Sequence, residues 1–253
     1  MGDLFHNITY PPDIKLGTLQ VDRIYCGTEW VWPRTTTTTT LPTTTTTTTT
    51  IALLNYGLLY NWYAANDSRN IAPLGWHVPT RIETSAFETF LGGGSNGLKI
   101  KEVGTTHWTS NTGTDNYGFG SRGSGTRINN TGLFNNITTD WYIWNFGDRG
   151  VSSQYFWGIS NSGSFYTNNV QSNKQGYSLR IVKDDSTYVS SVTGNDGKIY
   201  PCVSINSKVW TSVNIAETKY RNGDSIPEIT NNTTWTGLTS GALCAYNNDW
   251  LNV

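Results

Sequence analysis

Charge is scarce in this chain. Lys, Arg, Asp and Glu make up 14% of its 253 residues, against roughly 25% in an ordinary soluble domain. The 17 basic side chains nearly cancel the 18 acidic ones, leaving a formal charge of −1. Such a balance offers no general attraction to a polyanion, which argues against nucleic acid as a partner. Cysteine is equally sparse. Cys26, Cys202 and Cys244 are odd in number and include no close-spaced pair, so neither a disulfide scaffold nor a zinc site is expected. They read as small buried hydrophobes, with a Cys202–Cys244 bridge as the lesser alternative. The longest obvious aliphatic cluster, Ile51-Ala52-Leu53-Leu54, is far too short to cross a bilayer, and no membrane insertion is expected. The first residues, Met1 to His6, lack a basic stretch followed by an apolar one, so we expect a protein made in the cytoplasm without export. A nucleophile elbow, a Walker loop and paired catalytic carboxylates are missing too. The expectation is a protein that is not an enzyme and has no cofactor and no metal.

What is plentiful is aromatic. There are 11 Trp, 14 Tyr and 8 Phe, or 13% of the chain, together with 26 Gly. That payload argues against global disorder, because such rings bury enough area to offset chain ordering. The clearest boundary is Thr35 to Thr50, in which fourteen of sixteen residues are Thr, interrupted by Leu41-Pro42. With no apolar face it builds no core, and β-branching disfavours helix. It reads either as an extended linker, reaching roughly 50 Å when stretched, or as an ordered stalk in which the chains of a trimer lie alongside one another.

Residues 1–34 form a small module before it. Val21, Arg23 and Tyr25 alternate with Asp22, Ile24 and Cys26, Gly27-Thr28 turns, and Glu29-Trp30-Val31-Trp32 returns, which is a hairpin signature. A hairpin this small is marginal alone, so the module reads as an anchor. After the tract, Thr80-Arg81-Ile82-Glu83 forms a capping box that opens a helix. Ile82, Ala86 and Phe90 are the expected buried face at i, i+4 and i+8, and Gly92-Gly93-Gly94 is the stop. Near the carboxyl end, Val203-Ser204-Ile205 and Lys208-Val209-Trp210 flank Asn206-Ser207 as a second hairpin, and Asp224 and Pro227 mark turns. The fold class expected is α+β, with few helices and many ordered loops.

Several segments carry a resemblance. They are Tyr56-Gly57-Leu58-Leu59-Tyr60-Asn61-Trp62-Tyr63-Ala64, Gly75-Trp76-His77-Val78-Pro79-Thr80, Gly104-Thr105-Thr106-His107-Trp108, and Gly176-Tyr177-Ser178-Leu179-Arg180-Ile181-Val182-Lys183-Asp184. In this order they resemble the Fibrobacter-type major paralogous domain, and the resemblance implies a C-type-lectin-like fold over residues 51–185. A further block resembles the segment that opens the family's domain: Asp196-Gly197-Lys198-Ile199-Tyr200 through Val209-Trp210, Asn222-Gly223-Asp224, Trp235 and Tyr246-Asn247-Asn248-Asp249. Here that block comes last. The resemblance therefore implies a circular permutation in which residues 186–253 complete the domain, with the seam between Asp249-Trp250 and Asn55-Tyr56. Completion within the same chain is expected over completion of a neighbour's domain. The family's usual cysteines stand here as Ala72 and Ile181, which implies apolar packing in place of a bridge.

The stretch from Leu16 to Pro33 also resembles short virion-attachment segments of tailed phages. Together these likenesses imply a virion fibre, on head or tail and displayed on the virion surface. Residues 1–34 would bind virion structural proteins, and the distal domain would bind a bacterial surface glycan or protein, as a homo-oligomer, trimeric by analogy with fibres. A purely structural decoration protein and a bacterial surface adhesin are the alternatives. The region Gly132 to Lys174 interleaves aromatics with Asn, Ser and Gly, the composition of evolved binding loops. Its expected surface ligand-binding residues are Tyr142, Trp144, Asn145, Asp148 and Tyr155. His77 and His107 are expected to be hydrogen-bonded structural residues.

Overall fold

Strand pairing begins where the amino-terminal alternation places it. The computed structural model describes residues 25–26, 29–30, 55–147 and 152–253. In it β1 (Tyr25–Cys26) runs antiparallel to β2 (Glu29–Trp30), with Tyr25 opposite Trp30. The rest of the expected anchor, and the Thr tract, lie outside the described residues. The chain divides into two units, Met1–Thr49 and Thr50–Val253, and the following concerns the second.

Its elements are β3 (Leu59–Tyr60), α1 (Trp62–Ala65), β4 (Trp76–His77), α2 (Arg81–Leu91), β5 (Ser124–Arg127), β6 (Phe134–Ile137), β7 (Asp140–Trp144), β8 (Ser153–Ser160), β9 (Phe165–Ser172), β10 (Val182–Lys183), β11 (Ser191–Thr193), β12 (Ile199–Ile205), β13 (Lys208–Thr211), α3 (Asn232–Gly237) and β14 (Leu243–Cys244). The architecture is mixed and sheet-rich, with three α-helices among the described residues. A five-stranded sheet runs β11-β12-β13-β10-β4, a three-stranded one β7-β8-β9, and two pairs are β14-β3 and β5-β6. All of these pairings are antiparallel.

Helix α2 starts and stops as its sequence dictates. The Thr80 hydroxyl accepts from the Glu83 amide while the Glu83 carboxylate accepts from the Thr80 amide, a complete capping box. At the other end Gly92 adopts φ 100°, a left-handed closing conformation that costs glycine little. The buried face, however, is not the expected one. Ile82 is 81% exposed, and Ala86 and Phe90 also face solvent. Thr84, Phe87 and Leu91, at i, i+3 and i+7, are buried instead. Phe87 decides the rotation, because its ring meets Phe119, Trp157 and Trp210 at centroid distances of 5.2, 5.5 and 5.0 Å.

In the sheet β7-β8-β9, strand β7 and the Phe156–Ile159 stretch of β8 are buried on both faces, while β9 is only partly covered. Tyr142, Trp144 and Phe156 point into one cluster with Tyr60, Trp62 and Tyr177. Trp141, Ile143, Trp157 and Ile159 point into another with Phe87, Phe119 and Trp210. Alternation holds, and both sides are core. Ala72 and Ile181 are both fully buried in the first cluster, so apolar packing occupies those two positions. Cys202 and Cys244 are free and buried. They sit in separate clusters, Cys202 with Tyr200 and Val209, Cys244 with Leu59 and Trp235.

Residues beyond 186 are built into this body. β13 lies beside β10, Trp210 opposite Val182, and β14 lies beside β3, Leu243 opposite Tyr60. The β12-β13 turn places Asn206 at φ 49° and Ser207 at φ 59°, the twin left-handed residues of a type I′ hairpin. The Asn61 side chain caps α1 by accepting from Ala64, and it also accepts from the Ala242 amide and donates to the Ser240 carbonyl. Finally, the Tyr56 amide donates to the Asn252 carbonyl at 2.9 Å, and the Asn55 side chain donates to the Leu251 carbonyl at 2.8 Å. Residues 55–56 and 251–252 are thus joined side by side in the body.

Candidate functional site

An open cleft of about 600 Å³ lies between the α1 segment and two loops of the C-terminal region. That volume falls within the roughly 300–1,000 Å³ typical of small-molecule sites. Trp62, Tyr63, Asn66, Asp67 and Arg69 form one wall, Gln154 and Asn173 the back, and Ser225, Pro227 and Thr239 to Gly241 the other wall. The wall exists because Asn61 stops the strand and starts α1, which throws Trp62 inward and leaves Tyr63 half-buried at the rim. Trp62 is wedged edge-on against Trp144, ring centroids 5.6 Å apart, and the Trp144 indole N–H donates to the Tyr60 carbonyl.

The charged side chains of the lining are Asp67 and Arg69, and Asp224, next in sequence to the lining residue Ser225, joins them from beside it. Arg69 donates from Nε to Asp67 Oδ1 at 2.8 Å, from Nη2 to Asp67 Oδ2 at 2.8 Å and from Nη1 to Asp224 Oδ2 at 3.0 Å. Its guanidinium also lies 4.1 Å from the centre of the Tyr220 ring. Hydrogen bonds from Arg69 hold the Asp67 carboxyl below its usual range; Asn222 and Arg69 do the same for Asp224. Two carboxylates therefore bracket one guanidinium, and the trio carries a single net negative charge.

The aromatic residues expected at the surface sit elsewhere. Trp144, Asn145 and Tyr142 are buried, which corrects their placement as surface ligand-binding groups. Their strand is covered on both sides, so alternation exposes neither set. Asn145 donates instead to the Thr84 hydroxyl at 2.7 Å, pinning β7 to α2. The Tyr142 hydroxyl accepts from Asn136. Tyr155 is half-buried beneath the Arg81 guanidinium, 4.9 Å from its ring centre. Its neighbour Gln154 lines the cleft, and strand alternation aims Tyr155 the other way. Asp148 lies outside the described residues. None of the four described residues lines the cleft, and Trp144 touches it only through Trp62.

The sequence places Tyr63 in a motif, Asn66 in an Asn-x-Ser sequon of little meaning in so Asn- and Thr-rich a chain, and Asp224 at a turn, and it leaves Asp67 and Arg69 unremarked. The usable signal was spacing: Asp67 and Arg69 follow directly on the capped helix turn. Elsewhere the two described histidines are clamped. His77 lies between Asp184 Oδ1 at 2.6 Å and Glu83 Oε2 at 2.9 Å, and Lys208 reaches Glu83 at 3.0 Å. The bond to Glu83, then that to Asp184, raises the His77 pKa against the opposing effect of burial. His107 meets Glu102 at 2.5 Å, and Arg122 grips the same carboxylate at 2.8 Å. Burial pushes the Cys202 and Cys244 thiols up to about 12. Among the described residues no three His, Cys, Asp or Glu side chains converge as a metal ion would require, and no helix is long and apolar enough to cross a membrane.

From residue 55 on, the described residues form a sheet-rich α+β body that carries an open cleft with polar and aromatic lining. The family description of the Fibrobacter succinogenes major domain matches residues 18–183. The chain belongs to that family. The match begins inside the amino-terminal module, crosses the Thr tract, and ends before the C-terminal segment. No curated protein and no solved structure matches the chain.

Proposed function

We propose that this chain is a bacteriophage virion fibre, of head or tail, whose distal body adheres to a bacterial surface glycan or protein. Residues 1–34 dock to virion structural proteins, the Thr tract spaces the body outward, and residues 51–253 form a C-type-lectin-like domain with its opening block, 186–253, moved to the end. The observation that carries the reading is the closure at Asn55–Leu251 and Tyr56–Asn252. Residues 55–56 and 251–252 meet there, so the start of the family-like stretch and the end of the block 186–253 share one edge of the body, as a permuted order requires. Single sites of this openness bind weakly, and copies gathered on one particle, as trimers, supply avidity.

Binding, with no catalysis and no cofactor, is the activity this arrangement favours, because both described thiols are buried and His77 and His107 are locked by carboxylates. The test is a whole-cell and glycan-array binding assay with the full chain. Saturable, strain-dependent binding is the expected result. Equal, cell-independent behaviour towards every strain and glycan would instead mark a purely structural decoration protein.

A further inference from the structure

The cleft's chemistry narrows the class of ligand, and the argument rests on the adhesion reading above. Arg69 is the cation of the rim, and three of its N–H bonds already point at Asp67 and Asp224. A free guanidinium would seat a carboxylate or phosphate bidentately. This one is bracketed by two anions, so an acidic sugar meets a net negative rim and must displace Asp224 to be held. Each carboxylate keeps lone pairs beyond those used by Arg69, and the guanidinium keeps N–H groups beyond those it has given. That pattern of adjacent acceptors and donors matches neighbouring hydroxyls, which both donate and accept. Beside it the half-buried Tyr63 ring offers an apolar edge for the C–H face of a pyranose. Ser225 and Ser240 on the far wall supply neutral polar groups.

We propose that this cleft binds a neutral sugar through adjacent hydroxyls, set against Tyr63 and the Asp67–Arg69–Asp224 trio, and discriminates against uronic acids. Ligand-observed NMR titration of the full chain with methyl galactoside and methyl glucoside, against galacturonate and glucuronate, tests it. The expected result is saturable binding of at least one neutral sugar, at least about tenfold tighter than its acid. Tyr63→Ala weakens the neutral sugar about tenfold. Asp224→Asn, on an exposed side chain, frees Arg69 and narrows or reverses the preference, so the test stands even where Tyr63→Ala does not fold. Acids bound as tightly as neutral sugars, neutral binding untouched by Tyr63→Ala, or no saturable binding of any sugar would each overturn the proposal. Cells bound equally by the parent and Tyr63→Ala would remove the sugar cleft and leave fibre adhesion standing. Sugar bound in the cleft of a chain that binds no cells would support the site and remove the adhesion reading.

Discussion

Buried charge decides most at the scale of single residues. Arg180 is fully buried without a carboxylate partner in hydrogen-bond contact. It donates to the carbonyls of Phe119, Gly120 and Thr211 and to the Asn214 side chain, and its guanidinium lies over the Phe119 ring. Its fork ties the Phe119-Gly120 stretch to the 211–214 segment, a task for which an ammonium is the wrong shape. Arg180→Met strands those carbonyls and should cost about 3 kcal/mol or more in chemical denaturation. Arg180→Lys should recover less than half of that loss. Lys101 does related work: its buried ammonium is ringed by oxygens of Ser110, Thr112 and Asn161, over the Trp108 ring.

Glu217 behaves differently. It is fully buried, its Oε1 has no hydrogen-bond partner, and burial pushes its carboxyl up to about 7. The unfolded chain gives up this proton near the ordinary value of 4.5, whereas the folded chain keeps it until about neutrality. Its contribution to stability is therefore complete below pH 4.5, declines as pH rises to about 7, and is flat beyond. The full swing is at most about 3 kcal/mol. Denaturation midpoints compared between the parent and Glu217→Gln across that window should show the parent losing stability relative to the variant, most steeply between pH 5 and 7. Parallel curves would contradict the assignment.

At the scale of elements, local chemistry was legible and orientation was not. The α2 capping box, its Gly92 stop and the Asn206-Ser207 hairpin could be read directly, because each is settled by neighbours within a few residues. The face of α2 could not. The helix carries two apolar stripes, and the choice between Phe90 and Phe87 was made by Trp157 and Trp210, distant in the chain. The same cause hid the cleft: aromatics in Gly132 to Lys174 look like exposed loop residues until a second layer covers each face of β7 and β8. Thr80→Ala should cost about 1 kcal/mol, and Phe87→Ala about 3–5 kcal/mol. Ile82→Lys on the exposed stripe should stay within about 0.5 kcal/mol. Thermal unfolding of the three variants ranks them, and a costly Ile82→Lys would mean that this stripe is covered.

At the scale of the whole molecule, the body of residues 55–253 closes on itself where Asn55 and Tyr56 meet Leu251 and Asn252. The family likeness in residues 56–184 was legible because its motifs are local: Asn61 as cap, Gly75-Trp76-His77 leading into the capping box, Arg180 just ahead of β10. That the last block joins the same body was expected from its likeness to the family's opening segment; which strands it pairs with, Leu243 with Tyr60 and Cys244 with Leu59 across more than a hundred residues, no local pattern encodes. The most direct measurement reopens the body elsewhere. A chain running from residue 187 to 253, through a short Gly-Ser join, then from 55 to 185, restores the proposed family order and keeps each strand pair. It should unfold cooperatively as a monomer, with a midpoint within a few degrees of the 55–253 parent, about what 1 kcal/mol moves in a domain of this size. An unfolded or aggregated product, beside a folded parent, would contradict a body closed at Asn55 and Asn252.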